Sequence, residues 1–86
     1  MTTAAEKRHL ARVAELGCII CGSPAQVHHI REGQGMGQRA PHFLTIPLCP
    51  EHHVGGVSIH CSKRRFEAIY GCELDLLNQT LERLFG

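Results

Sequence analysis

Tryptophan is absent from this 86-residue chain, tyrosine occurs once and phenylalanine three times, so few large rings are available to fill a core. No apolar run approaches the roughly 20 residues that a membrane-spanning helix needs. The polar start from Met1 to Arg8 lacks the hydrophobic stretch of a secretory leader. The cysteine count is odd, five, which argues against a framework of paired disulfides. These absences argue against a secreted disulfide scaffold or a membrane protein, and the expectation is a reducing cytoplasm. Net charge is scarce too, at +1 with the histidines neutral.

What the chain has instead is metal-ligand chemistry: five Cys and seven His in 86 residues. A chain this short makes one small domain, and domains of this size often depend on a metal, a disulfide or a partner for stability. The charge is unevenly spread. Residues 1–30 carry +1, residues 31–65 carry +3 and residues 66–86 carry −3. Positive charge therefore gathers around the His-rich middle, where a phosphate-bearing substrate would lie, although any single arginine there is adequately explained as solvated surface.

Hydrophobic spacing predicts a first helix over 3–16, with Thr2 or Thr3 as its cap and Gly17 after its end. His9 falls on or near its polar face, where a lone histidine is expected to be ordinary surface. Cys18-Ile-Ile-Cys21-Gly22 then reads as a tight knuckle, in which glycine relieves backbone crowding while two thiolates approach one ion. Residues 25–30 form a short strand that sends His28 and His29 to opposite faces.

Residues 31–41 lack apolar periodicity and carry Gly33, Gly35 and Gly37, so they predict a loop with Arg31 and Arg39 at its ends. Its glycine spacing does not match a P-loop. Residues 43–48 complete a hairpin, with Pro47 at an edge or end, and Pro50 begins a turn or short helix. A helix over 62–70 would be capped by Ser62 and turn Phe66 and either Ile69 or Tyr70 inward, ending at Gly71. A last helix over 73–85 carries a stripe of Leu74, Leu77, Leu81, Leu84 and Phe85, read as core.

Two pairs of ligands share one spacing. Cys18 and Cys21 are separated by two residues, as are Cys49 and His52. Together they predict a Cys3His structural zinc site of the knuckle type. The bland reading, buried reduced thiols, explains neither the matched spacing nor the histidine. Cys61 and Cys72 have no partner at such a distance and are read as non-ligands. Adjacent His28 and His29 cannot readily serve one ion, so they suit two tasks: one imidazole holds a cation while its neighbour takes a proton. His53 would add a second imidazole to the cation, and His60, before the 62–70 helix, is the best third. His42 is read as an ordinary surface or core histidine.

In order along the chain stand Cys-x-x-Cys, His-His-Ile, Ile-Pro-Leu-Cys-x-x-His-His and Ile-His before a helix. This pattern, covering roughly residues 18–70, resembles the HNH (ββα-metal) endonucleases, and within them the small phage and prophage group of Ref-like and YbcO-like nucleases. The resemblance implies an α+β fold, a zinc-stabilised ββα-metal hairpin with flanking helices in one domain over 1–86. It implies that His28, His53 and His60 hold a catalytic Mg2+, Mn2+ or Zn2+, that His29 is the general base, and that Cys18, Cys21, Cys49 and His52 hold structural Zn2+.

The activity implied is hydrolysis of DNA phosphodiesters, by cutting or nicking, with low sequence specificity and products bearing a 5′ phosphate and 3′ hydroxyl. Arg31, Arg39, Lys63, Arg64 and Arg65 are the expected backbone contacts. One member of the group acts with a recombinase filament, so DNA recombination and such a filament enter by resemblance alone. Two positions depart from the family. Its central Asn corresponds to Leu44, which leaves a backbone carbonyl, His42 or Thr45 to orient His29. Val57 occupies the place where many members carry the last ligand. A zinc-stabilised nucleic-acid-binding module without catalysis is the alternative from a different class.

Overall fold

A computed structural model of the chain describes residues 2–35, 38 and 40–86; Arg39, expected to grip a nucleic-acid backbone, lies outside the described residues. The elements are α1 (Ala4–Glu15), β1 (Gln26–His29), β2 (Thr45–Leu48), α2 (Pro50–Val54), α3 (Lys63–Tyr70) and α4 (Glu73–Phe85). The protein is thus a small α+β domain in which a two-stranded antiparallel hairpin is flanked by helices. No helix among the described residues is long and apolar enough to cross a membrane.

Thr3, one of the two expected caps, starts α1 through a capping box. Its hydroxyl accepts from the Glu6 N–H at 3.1 Å, and the Glu6 carboxylate accepts from the Thr3 N–H at 2.9 Å. After the helix, Gly17 adopts φ 77°, and a Cβ there would stand 2.7 Å from the Gly22 carbonyl oxygen. Only glycine lets the chain turn so sharply from α1 into the cysteine knuckle.

In the hairpin, Gln26 pairs with Leu48, Val27 with Pro47, His28 with Ile46 and His29 with Thr45. Pro47 sits opposite Val27 and has no N–H to lose, while its carbonyl accepts from Ile19 N–H at 2.9 Å. That bond stitches the cysteine knuckle to the outer edge of β2. Helices α1 and α4 both pack on β2, and all four of its residues are buried. Cys18, Ile19, Ile30, Ile46, Leu48, Phe66, Leu76 and Leu77 belong to the core they enclose.

Three local expectations need correction. His9 is not on a polar face: it is 6% exposed, with its ring 5.0 Å from that of Phe43 and 6.4 Å from that of Phe85. Ser62 does stand at the start of α3, but its hydroxyl donates to the Gly56 carbonyl at 2.8 Å and does not cap the helix. On α4, the inward face is Glu73, Leu76, Leu77 and Thr80, while Leu74 and Phe85 point outward, 49% and 68% exposed. The buried face thus keeps Leu77 of the expected stripe, with Leu81 partly buried against the core, and adds Glu73, Leu76 and Thr80 to it. Thr80 tolerates burial by donating its hydroxyl to the Leu76 carbonyl at 2.8 Å. On α3, Phe66 is buried and Tyr70 half-buried, whereas Ile69 is exposed.

Candidate metal centres

Two groups of side chains converge closely enough to share an ion each. In the first, one donor atom from each of Cys18, Cys21, Cys49 and His52 lies within 4.8 Å of all the others. The Cys18 Sγ to His52 Nδ1 separation is 3.6 Å, Cys21 Sγ to Cys49 Sγ is 3.7 Å and Cys49 Sγ to His52 Nδ1 is 3.1 Å. Sulfurs 3.7 Å apart are not disulfide-bonded. Tetrahedral zinc with ordinary bond lengths would set S···S at about 3.8 Å and S···N at about 3.6 Å, so the donor set fits such an ion.

Each half of this centre is made by local sequence. The knuckle from Cys18 to Cys21 closes with Cys18 N–H donating to Ser23 O and Gly22 N–H to Cys18 O, both at 2.8 Å. Cys49 precedes Pro50, which takes the first position of α2, where a missing N–H does no harm. One turn later His52 stands over Cys49. Hydrogen bonds from the Ser23 hydroxyl and backbone hold the Cys21 thiol down at about 6, which makes it a thiolate, the ligating form, near neutral pH. Burial pushes the Cys49 thiol up, as expected of a sulfur that ionises only with a cation beside it.

The second group is His28, His53 and His60, again with donor atoms within 4.8 Å of one another. His53 and His60 meet with their Nε2 atoms 2.9 Å apart. The chain brings them together by folding back after α2: Ile59 N–H donates to the His52 carbonyl at 3.0 Å and His60 N–H to the His53 carbonyl at 3.3 Å. His53 Nδ1 lies 2.9 Å from the Gln26 amide oxygen. That contact puts the hydrogen on Nδ1 and leaves the Nε2 lone pair toward His60. Burial, then the neighbouring His28, pushes both imidazoles below the ordinary histidine pKa, with His60 adding to the effect on His53 and Arg31 to that on His60. Neutral imidazoles are the form that binds metal.

His28 is buried, and its Nε2 lies 2.6 Å from Glu73 Oε2. The other carboxylate oxygen of Glu73 accepts from the Arg31 and Glu32 N–H groups at 2.8 and 2.9 Å. Burial raises the Glu73 pKa, but these bonds from His28 and the two amides outweigh it, and the carboxyl titrates below its usual range. Sequence reasoning missed Glu73. Its only local signal is an acid, beside Asp75, on the first turn of a helix, which dipole complementarity explains equally well.

His29 leaves β1 toward different neighbours, with its Nε2 2.9 Å from His42 Nδ1. His42 Nε2 lies 3.5 Å from the Thr2 hydroxyl, and the Thr45 hydroxyl donates to the His42 carbonyl at 3.0 Å. Of the three groups considered for orienting His29, His42 is in contact with its Nε2. His28, His29, Arg31, His53 and His60 line one cavity of about 420 Å³. Lys63, Arg64 and Arg65 are exposed on α3 and are not among its lining residues, and Lys63 sits 3.9 Å from Glu67. Cys61 and Cys72 stand outside both groups.

A compact α+β domain carrying one sulfur-rich and one all-histidine donor cluster is, by its site, a candidate metal-binding protein. The chain belongs to the DUF968 family, described as a protein of unknown function, whose pattern matches residues 1–86. It is similar to the uncharacterized protein YdfU of Escherichia coli (strain K12), at 39% identity over 69 residues. That match covers 77% of this chain and 19% of the relative, so the chain spans about a fifth of the length of that protein.

Proposed function

We propose that this chain is a metal-dependent DNA endonuclease of the HNH (ββα-metal) type. Cys18, Cys21, Cys49 and His52 hold structural zinc, and His28, His53 and His60 hold the hydrolytic cation. The observation that carries this reading is the shared cavity, in which one imidazole outside the donor group, His29, faces the same space as the three inside it.

Bound to the three histidines, a divalent cation supplies charge neutralisation at the phosphate and at the departing 3′ oxygen. The protein's residues do the rest. His29, whose Nε2 lies 2.9 Å from His42 Nδ1, is the general base that takes a proton from the attacking water. His42 thereby fills the orienting role that Asn has in the family, where this chain carries Leu44 in place of that Asn. Arg31, exposed at the cavity wall, meets a non-bridging phosphate oxygen. Lys63, Arg64 and Arg65 contact the backbone further along the duplex, which gives binding that weakens steeply with salt and reads little sequence.

The test is incubation of supercoiled plasmid with Mg2+ or Mn2+, comparing wild type with His29→Ala. Cutting or nicking by wild type alone supports the proposal, and equal cutting by both removes His29 from its role. No cutting with Mg2+, Mn2+ or Zn2+ on supercoiled, linear and single-stranded DNA would favour the zinc-stabilised binding module instead.

A further inference from the structure

Glu73 is 1% exposed, and it reaches His28 across 45 positions of sequence from a helix outside the ligand-bearing segments. A carboxylate in such a place is costly unless its oxygens are satisfied. Here they are: two backbone amides hold Oε1, and that grip aims Oε2 at His28 Nε2. Glu73 itself is not one of the converging donors, which are His28, His53 and His60.

An ionised carboxylate only accepts hydrogen bonds. The imidazole nitrogen facing it must therefore carry a hydrogen, and a neutral imidazole with Nε2–H has its lone pair on Nδ1. We infer that Glu73 is a positioning residue that fixes the tautomer of His28, making Nδ1 the nitrogen that meets the ion shared with His53 and His60. The inference rests on the metal-centre reading above and adds to it which atom ligates and what holds it ready. It also explains why an acid shares the inward face of α4 with Leu76 and Leu77.

Glu73→Gln separates this role from simple packing. The new amide keeps an oxygen for the Arg31 and Glu32 N–H groups, because turning it over would set its NH2 against two backbone donors. That leaves the NH2 facing His28, where the imidazole must accept at Nε2 and carry its hydrogen on Nδ1. The nitrogen needed by the ion is then blocked, while the fold keeps its anchor.

Titration with Co2+ or Zn2+, followed by visible absorption and calorimetry, should show the cysteine-site ion retained in Glu73→Gln. Affinity for the second ion should fall about 10–100-fold, the usual effect of losing a histidine's outer partner. A variant that binds the second ion as tightly as wild type overturns the inference while leaving the centre intact. A wild type that takes up only one ion overturns the centre as well.

Should Glu73→Gln not fold, long-range 1H–15N NMR of His28 in wild-type protein loaded with one equivalent of zinc decides the matter. Hydrogen on Nε2 is the expected result, and hydrogen on Nδ1 refutes the assignment.

Discussion

His53 and His60 stand seven residues apart in the chain, yet their Nε2 atoms lie 2.9 Å from one another. That distance depends on the turn between them, which begins where Gly55 N–H donates to the Glu51 carbonyl at 3.0 Å. A Cβ at Gly55 would run into that same carbonyl oxygen. Gly55→Ala should therefore push the returning loop away and weaken the second ion more than the first. Competitive titration of both sites with a colorimetric chelator measures the two affinities separately.

The cysteine centre should carry the fold. A domain this small buries a modest core, whereas structural zinc contributes folding energy directly. Cys49→Ser, or chelation of wild type, should abolish cooperative thermal unfolding followed by circular dichroism. His53→Ala should retain it, with the melting temperature shifted by far less.

His42 should matter for catalysis and not for metal binding. On the proposed mechanism His29→Ala lowers the cleavage rate by about 10²–10⁴-fold, the usual contribution of a general base. His42→Ala should lower it by a smaller factor while the protein still takes up both ions. Single-turnover nicking assays at saturating metal check this, and a His42→Ala rate equal to wild type would leave His29 to be oriented by another group.

His9 should make the fold sensitive to mild acid. Its Nε2 is buried without a hydrogen-bond partner among the described residues. Burial, with Arg12 assisting against a hydrogen bond that the ring donates to the Phe43 backbone, lowers its pKa below the ordinary 6.5. The unfolded chain then binds a proton more readily than the folded one, so the stabilisation is present above pH 6.5 and is lost as pH falls through the folded-state value. Urea unfolding at pH 7.5 and 5.5 should show a smaller loss of stability on acidification in His9→Leu than in wild type.

What sequence could show follows the range of the interactions. The Cys18–Cys21 and Cys49–His52 pairs are local knuckles, so their spacing announces them, and both fall into one group. Alternation along β1 separates His28 from His29, and the structure gives them different partners, Glu73 and His42. His60 was within reach because it precedes a helix, although the main-chain bonds that return it to His53 were not.

Glu73 was invisible because nothing within one helical turn explains an acid facing inward; its partners are Arg31, Glu32 and His28, more than 40 residues away. On α4 the apolar stripe is legible at Leu77 and Leu81 but not at its edges, where Leu74 and Phe85 are exposed and Glu73 is buried, since periodicity does not register a buried hydrogen bond. His9 was misjudged for a related reason. Its burial comes from Phe43 and Phe85, at distant points of the chain.

The central claim is that two separate ions fit this one small domain. The direct measurement is metal content per chain by elemental analysis after loading with zinc and removal of the excess. Two ions are predicted for wild type and one for the His53→Ala, His60→Ala double variant. One ion in both proteins would contradict the account.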